Sequence, residues 1–430
     1  MKRVVLFVGS VAVAAVGFAQ QPPGDPVPPS PRVLPMSVVP ASATRRAETP
    51  LSAFEPLAAF PQTTQQAVRA ALHGSAWLSR MNQPQGRFVF GYLPALRQTM
   101  DGDHDLKQAF AALAVAQSAK FTGDDRQTAV ASQAILALFA ATKIDPADAN
   151  CRVPVHSSLT CNRVGFAAIL ALAVCELPSP DDKLIAEAER LCVFLQKQLR
   201  ADGSVHSTDG PADVPAQVDP AGVNEYPGYA LHAIAVSNRT RPAAWKIEAV
   251  KKGAEFYRGA FKAAPHPMLA ATLTPALAEL FHQTKHGDAA AIAFEMNDWL
   301  AGVQYAPTDA KRPAWAGGFR GWANGQPADI APVPETGLYL QSLACACAIT
   351  RVVPDLQRFG RYRQAATDAA QYLGGLQYTE GNTRHFADTY RANTLIGGFY
   401  LSPTDGNLRI DATACGVSGL LRFLTSGAEK

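Results

Sequence analysis

The sequence lacks the features that mark several functional classes. Charged residues make up only 17% of the 430 residues and aromatic residues 8%, whereas a hydrophobic content of 48% excludes a disordered protein. There is no Cys-x-x-Cys pair for a zinc site, no Gly-x-Ser-x-Gly elbow and no phosphate-binding Gly-rich loop. The net charge of +3 falls to 37 − 36 = +1 without Lys2 and Arg3, so charge indicates no nucleic-acid partner.

Residues 1–19 have the pattern of a secretory signal peptide. Lys2 and Arg3 form a basic start, residues 4–16 are an apolar run, and small residues precede Gln20. The run is shorter than the ~20 residues that span a bilayer, and no later segment is long enough. We expect an exported protein, periplasmic or secreted, without a stable membrane anchor. A retained anchor is the alternative.

Two further regions follow the signal peptide. Residues 20–61 contain 11 prolines and little apolar periodicity, which predicts a disordered linker. Residues 62–430 show no Pro/Ser-rich break and read as one domain. Apolar residues recur there with helical spacing, and strand-type alternation is almost absent. The predicted helices are 65–82, 104–121, 124–142, 162–177, 181–200, 225–239, 243–261, 267–285, 287–303, 335–352, 360–376 and 411–426.

A repeat pairs these twelve helices into six hairpins. Odd-numbered helices tend to end in an aromatic residue and Leu, then a Gln, then a loop that contains Gly. The clearest copies are Trp77-Leu78 with Gln83 and Gly86, Phe194-Leu195 with Gln198 and Gly203, Trp299-Leu300 with Gln304 and Gly317, and Tyr372-Leu373 with Gln377 and Gly397.

This repeat resembles the aromatic–Gln–Gly–aromatic motif of α/α-toroid proteins, which include terpenoid cyclases and protein prenyltransferases. The six hairpins are also similar to the toroids of many polysaccharide-active enzymes. The resemblance covers residues 65–426 and implies an all-α (α/α)6 toroid. It names no specific family, because the Asp-x-Asp-Asp motif of class II terpenoid cyclases and the zinc ligands of prenyltransferases are absent.

Loop lengths predict where a site lies. Links from even to odd helices are short, whereas five links from odd to even helices are long: 83–103, 143–161, 201–224, 304–334 and 377–410. In an alternating toroid the long links share one rim, and loops of more than ~12–15 residues in a compact domain are usually functional or disordered. We expect a walled cleft there.

Acidic residues begin several of the predicted inner helices at this rim. Each is, taken singly, a typical helix cap. Their convergence around one axis would instead supply the paired carboxylates of glycoside chemistry. The candidate acid–base residues are Glu225, Glu335, Asp411 and Asp103, and the candidate substrate-binding residues are Tyr226, His104, Arg409, Trp315, Trp322 and Arg320.

Residues 312–322 hold Trp315, Phe319 and Trp322, which suit either stacking on a sugar or packing of the loop on its scaffold. Cys151 and Cys161 flank a short loop, and export would permit a disulfide between them. No motif predicts a metal ion or another cofactor.

The leading interpretation is a carbohydrate-active enzyme, a hydrolase, lyase or epimerase, with a polysaccharide or other small molecule as ligand. A terpenoid-cyclase-like or prenyltransferase-like toroid is the second, and a non-catalytic binding or scaffold toroid is the third. A polar, carboxylate-lined cavity favours the first, and an apolar one the second. Carboxylates that serve only as outward caps favour the third.

Overall fold

The computed structural model describes residues 49–157, 160–207 and 220–429. The predicted signal peptide and residues 20–48 of the predicted linker lie outside these ranges. The prediction that the linker extends to residue 61 is corrected. Residues 50–54 and 57–59 form short 3-10 turns, and Phe54 is buried against Phe60 and Phe121 at ring-centroid distances of 5.2 and 6.1 Å. The aromatic rings hold this segment on the domain.

Twelve long helices follow within the described residues, as predicted. They are α1 Gln62–Met81, α2 Asp105–Thr122, α3 Asp125–Phe139, α4 Arg163–Glu176, α5 Asp182–Lys197, α6 Pro220–Ser237, α7 Ala244–Ala263, α8 Pro267–Thr284, α9 Gly287–Gly302, α10 Thr336–Val352, α11 Leu356–Gly375 and α12 Ile410–Ser426. Side-chain caps set several starts. Asn162 accepts from the Gly165 N–H at 2.8 Å, and Asp181 accepts from the Leu184 N–H at 2.7 Å.

The even-numbered helices form a closed inner ring, in which α2, α4, α6, α8, α10 and α12 each pack on the next and α12 packs on α2. The odd-numbered helices lie outside them. The inner helices are apolar nearly all round; every residue from 164 to 174 of α4 is buried. The molecule is therefore the (α/α)6 toroid that the repeat predicts. Within the described ranges, no helix has the length and apolarity needed to cross a membrane.

Short strands lie in the long links. They are β1 Gly91–Leu93, β2 Gln98–Thr99, β3 Thr142–Asp145, β4 Asp148–Pro154, β5 Gly321–Ala323, β6 Gln326–Ala328, β7 Tyr400–Ser402 and β8 Asp405–Arg409. Two pairs, β3–β4 and β5–β6, are isolated hairpins. The remaining four form one antiparallel sheet in the order β2-β1-β8-β7. That sheet joins the first long link to the last, beside the start of α12.

The repeat forms the joints between outer helices. Isolated antiparallel β-bridges pair Gln304 with Phe319 and Gln377 with Phe399. Each bridge closes the loop that follows its outer helix. The Gln377 amide then donates to the Ala70 carbonyl of α1 at 2.9 Å. Gly397 has φ +99° and packs against the α1 backbone, where no side chain would fit. This copy of the repeat therefore holds α11 to α1 and joins the last hairpin to the first.

The predicted disulfide is wrong. All seven cysteines lie within the described ranges and are free thiols. Cys151 is on β4 close to Lys197, whereas Cys161 precedes α4 and lies near Leu106 and Asp105 of α2. Burial raises the pKa of the Cys161 thiol to about 11. The two residues have different neighbours, so their proximity in sequence does not bring the sulfur atoms together.

Candidate functional site

The amino ends of the inner helices and the long links share one rim of the toroid. Each long link leads directly into an inner helix, so these helices all run away from this rim. Pairing of Gly91 with Arg409 and a hydrogen bond from the Ile410 N–H to the Phe90 carbonyl at 3.1 Å place the start of α12 beside the first link. The polar residues at the starts of the inner helices therefore lie at the same rim.

Glu335 precedes α10 and does not act as a cap. Its backbone is helical, and its carboxylate makes no capping hydrogen bond to the first turn. Burial raises the pKa of Glu335, and the Asp411 carboxylate adds to the shift. The residue's own N–H group, Arg409 and Lys107 oppose it. Glu335 nevertheless keeps some exposed surface. It is thus a carboxylic acid that holds its proton more firmly than usual and can be reached.

Asp411 lies in the first turn of α12. Its carboxylate binds charged side chains instead of capping the helix. Arg409 binds it with both arms of its guanidinium, at 2.6 and 2.9 Å, and the Lys107 ammonium lies 3.5 Å away. Lys107 also lies 5.3 Å from the centre of the Phe90 ring. The group brings together α2, α12 and the first long link.

Glu225 approaches the same region from α6. The prediction that it begins its helix is corrected, because α6 starts at Pro220 and Glu225 lies in the second turn. Glu225 and Glu335 both act electrostatically on the hydroxyls of Tyr229 and Tyr339 and on the thiol of Cys415. These groups belong to α6, α10 and α12, so the two glutamates converge toward the axis.

Beneath these carboxylates the inner ring is lined by aromatic and sulfur-containing side chains. Tyr229 contacts Phe110 at a centroid distance of 5.4 Å, and its buried hydroxyl has no hydrogen-bond partner. Leu338 and Cys415 pack with Ala271 of α8, and Met268 and Tyr339 lie against them. Burial raises the pKa values of both tyrosines and of Cys415. These groups therefore stay neutral and form a floor under the charged rim.

Tyr226 is a predicted ligand-binding residue, but its ring packs between two helices. Its ring is only 8% exposed and packs directly on Gly165 of α4, where no larger residue would fit. The ring therefore fixes the spacing between α4 and α6. This packing explains the glycine in the first turn of α4.

Asp103 is bound by partners of its own. It is 52% exposed, and it accepts from Arg87 at 2.5 Å and from the Gln108 amide at 2.8 Å. The prediction that Asp103 belongs to the acid–base set is not supported by this position. Arg87 also pairs with Asp105 of α2, which His156 contacts from the second long link.

His104 and His156 lie at this rim beside Asp105. His104 precedes α2 without capping it, and its Nδ1 is buried with no hydrogen-bond partner. Burial and the nearby Lys107 lower the pKa of His104, although Asp105 and Asp411 oppose the shift. His104 is therefore neutral at neutral pH and carries a nitrogen that can accept a proton.

Trp315, Arg320 and Trp322 form a separate group in the link between α9 and α10. Trp315 and Arg320 gather around Tyr305, at 5.3 and 5.6 Å from its ring centre. Trp322 packs edge-on against Trp299 of α9 at 5.3 Å and against His266 at 6.0 Å. These contacts match the alternative that the loop packs on its own scaffold. The Trp322 indole N–H is buried without an acceptor.

Three important rim residues were not among the predicted site residues. Asp105 is the centre of the Arg87 and His156 contacts, and Lys107 joins Asp411 to α2. The run Asp103-His104-Asp105 was a usable signal, whereas His156 lies in an irregular loop with none. Within the described residues, no group of three or more His, Cys, Asp and Glu side chains could hold a metal ion.

Replacement of Asp105 by Asn should lower the free energy of unfolding by about 1–2 kcal/mol at pH 7, because the Arg87 and His156 contacts lose a charge. Burial opposes ionisation, but hydrogen bonds from His156 and Arg87 outweigh it and lower the pKa of Asp105 below its usual 3.8. A lowered folded-state pKa stabilises the protein above the unfolded value, and the gain is lost as pH falls through the folded value. Urea unfolding across a pH series measures the difference.

The matched control is Asp125→Asn, since Asp125 is an exposed first-turn residue of α3. Its effect should stay within about 0.5 kcal/mol. An Asp105→Asn effect of the same size at pH 7, or one that grows toward acid pH, would contradict the assigned network.

Solved structures share this fold. An unsaturated glucuronyl hydrolase from Bacillus sp. GL1 aligns at TM-score 0.59 and 14% identity, over 84% of this chain and 96% of its own. A D-mannose isomerase aligns at 0.58 and 10%, over 84% and 99%. An α-1,6-mannanase from Salegentibacter sp. HEL1_6 aligns at 0.56 and 11%, over 84% and 98%. No protein-family profile matches the chain, and no curated protein sequence matches it.

Proposed function

We propose that the protein is a carbohydrate-active enzyme whose reaction takes place at the long-loop rim, with an oligosaccharide or polysaccharide as substrate. The observation that carries the proposal is the convergence of Glu335, Glu225 and Asp411 from three inner helices, with one of the three held toward its protonated form. Paired carboxylates in different protonation states are what acid–base chemistry on a sugar requires.

Each residue has a distinct role in this proposal. Glu335 is the general acid, since its raised pKa keeps a proton available for a leaving-group oxygen. Asp411 stays ion-paired with Arg409 and Lys107, and these two cations fix the position of its carboxylate. Glu225 is the second carboxylate, and neutral His104 is an additional base beside Asp411. Asp103 has no role in this set.

The composition of the rim distinguishes this proposal from its alternatives. A terpenoid-cyclase-like site would need an apolar lining, but the groups above the aromatic floor are Glu335, Asp411, Arg409, Lys107 and His104. A scaffold toroid would use its carboxylates as caps, and neither Glu335 nor Asp411 caps its helix. Both observations favour sugar chemistry.

The solved toroids add support at the level of substrate class. The three described above are named as a glucuronyl hydrolase, a mannose isomerase and a mannanase, and a variant of the mannanase is in complex with α-1,6-mannotriose. Export of this chain is part of the proposal, and it rests on the pattern of residues 1–19. An exported enzyme of this kind would meet glycans outside the cytoplasm.

The test is a substrate screen on purified protein with product analysis by mass spectrometry. The panel contains α-1,6-mannooligosaccharides, oligosaccharides with unsaturated glucuronyl ends, free mannose and isoprenoid diphosphates. We expect turnover of at least one sugar and of no isoprenoid. Turnover confined to isoprenoids, or no turnover and no glycan binding on an array, would overturn the proposal.

A further inference from the structure

His266 lies at the same rim and immediately precedes α8. In the inner ring α8 lies between α6, which carries Glu225, and α10, which begins just after Glu335. Met268, two residues further along, packs on the cluster of the floor that contains Cys415. His266 therefore lies on the α8 side of the candidate site, at the level where the inner helices begin.

The imidazole of His266 caps its helix through one nitrogen. The Met268 N–H donates to Nδ1 at 3.2 Å. A nitrogen that accepts a hydrogen bond carries no proton, so the neutral ring holds its proton on Nε2. Burial lowers the pKa of His266, and the bond that uses the Nδ1 lone pair opposes a second proton. His266 is therefore neutral and has one fixed tautomer.

The other nitrogen is a hydrogen-bond donor that points away from the helix. Because the two nitrogens lie on opposite sides of the ring, the cap at Nδ1 directs the Nε2–H outward into the rim. Nε2 has no hydrogen-bond partner within the described residues, it is not one of the buried unpaired atoms, and the side chain keeps part of its surface exposed. Water can satisfy such a donor, so exposure alone assigns it no role.

Two contacts fix the direction of this N–H before any ligand binds. The cap holds one side of the ring, and Trp322 packs edge-on against it at a centroid distance of 6.0 Å. Trp322 is itself held against Trp299 of α9 at 5.3 Å. A surface histidine without such contacts would rotate freely. A donor that is already held in one direction loses little conformational freedom when a ligand binds to it.

Capping alone does not explain a histidine at this position. Ser, Thr, Asp and Asn are the preferred caps, and Asn162 and Asp181 have this role at α4 and α5. Pro267 also favours the start of α8, because its ring fixes a helical φ. Histidine adds a second nitrogen beyond the end of the helix, which a shorter capping side chain lacks.

We propose that His266 binds the sugar substrate by donating from Nε2 to one hydroxyl oxygen, and that it selects glycans with a hydroxyl at that position. This proposal rests on the proposed function. A sugar without that oxygen would displace water from the N–H and leave it unpaired, so a site built around such a donor disfavours the deoxygenated analogue. Trp322 is a positioning residue, since it acts through the imidazole.

The test separates the hydrogen-bond donor from the helix cap. Asn is a preferred cap, so His266→Asn keeps a cap but has no N–H at the position of Nε2. Its free energy of unfolding should stay close to that of the unaltered protein. Its Michaelis constant for the glycan found by screening should rise about tenfold, and its kcat should change by less than about threefold. His266→Ala should show the same kinetic loss together with lower stability.

The matched control is His286→Asn. His286 also precedes a helix, α9, but at the end of the toroid away from the rim, and its side chain makes no capping hydrogen bond. This variant should keep the kinetic constants of the unaltered protein. A residue that served only as a cap would be replaced without loss by Asn, so full activity in His266→Asn would refute the role of His266.

Monodeoxy analogues of the glycan substrate identify the bond itself. Removal of one hydroxyl should weaken binding to the unaltered protein about tenfold, but binding to His266→Asn by less than about threefold. If no position shows this dependence on His266, the proposal is wrong even though the glycan is turned over. If the unaltered protein turns over no glycan, the proposed function fails and the role of His266 fails with it.

Discussion

Replacement of Glu335 by Gln should reduce the turnover of a glycan substrate by about 10²–10⁴-fold, which is the usual contribution of a general acid. Gln keeps the shape of the side chain but has no proton to give to a leaving group. The Michaelis constant should change little, because substrate contacts made by other residues remain. Folding should be nearly intact, since Glu335 makes no capping hydrogen bond. Initial rates on the substrate found by screening measure the loss.

The pH profile tests the same assignment from another direction. Burial and Asp411 raise the pKa of Glu335, so the active, protonated form persists above the ordinary carboxyl range. Turnover should therefore fall as pH rises through that raised value, and Glu335→Gln should lose this limb of the profile. Glu255→Gln, at an exposed position of α7, is the matched control and should retain full activity. Full activity in Glu335→Gln would remove the general acid from the proposal.

Replacement of Gly397 by Ala should lower the free energy of unfolding by about 3 kcal/mol or more. The φ of +99° is strained for any residue with a side chain, and an added methyl would overlap the His73 carbonyl of α1. Because backbone rather than a flexible side chain occupies that space, α1 and the loop would have to separate. Urea unfolding followed by circular dichroism measures the change.

The control is the same substitution at a glycine that has neither a positive φ nor a close backbone contact. Gly259 lies inside α7 with ordinary backbone angles and open space around its Cα. Gly259→Ala should raise the free energy of unfolding by about 0.5–1 kcal/mol, because alanine favours the helix. A loss at both positions, or at neither, would contradict the role assigned to the repeat glycine.

The fold was predictable because helical periodicity is a local property. Eleven helices begin and end within four residues of the predicted positions. The exception, α6, starts five residues before the predicted position, because Pro220, Gly222 and Asn224 give its first turn the composition of a loop. At α11 the start at Leu356, four residues before the predicted one, is set by the cap Asp355, which accepts from the Arg358 N–H at 2.9 Å. Residues 50–61 have the composition of a linker because of their three prolines, but the buried Phe54 anchors them on the domain.

The candidate site was predictable only in part. Glu335 and Asp411 came from the rule that inner helices start at one rim, and this rule needs topology alone. The contact of His156 with Asp105 depends instead on the path of an irregular loop. The cysteine prediction failed for the same reason, as distance along the chain does not decide which surfaces meet. The same rule also selected Asp103, although Arg87 and Gln108 already bind its carboxylate.

The joint between α11 and α1 has a consequence for how the chain folds. The Trp77 indole donates to the Thr394 carbonyl at 2.7 Å across 317 positions, and Gln377 reaches Ala70 across 307. Successive hairpins can stack on one another early in folding, but the ring closes only when the last hairpin packs on the first. Until then the incomplete ring has two uncovered ends, and the apolar face of α1 stays exposed. Closure is thus a late step of very high sequence separation, which makes it slow and leaves α1 as the surface most prone to aggregation in the unfinished chain.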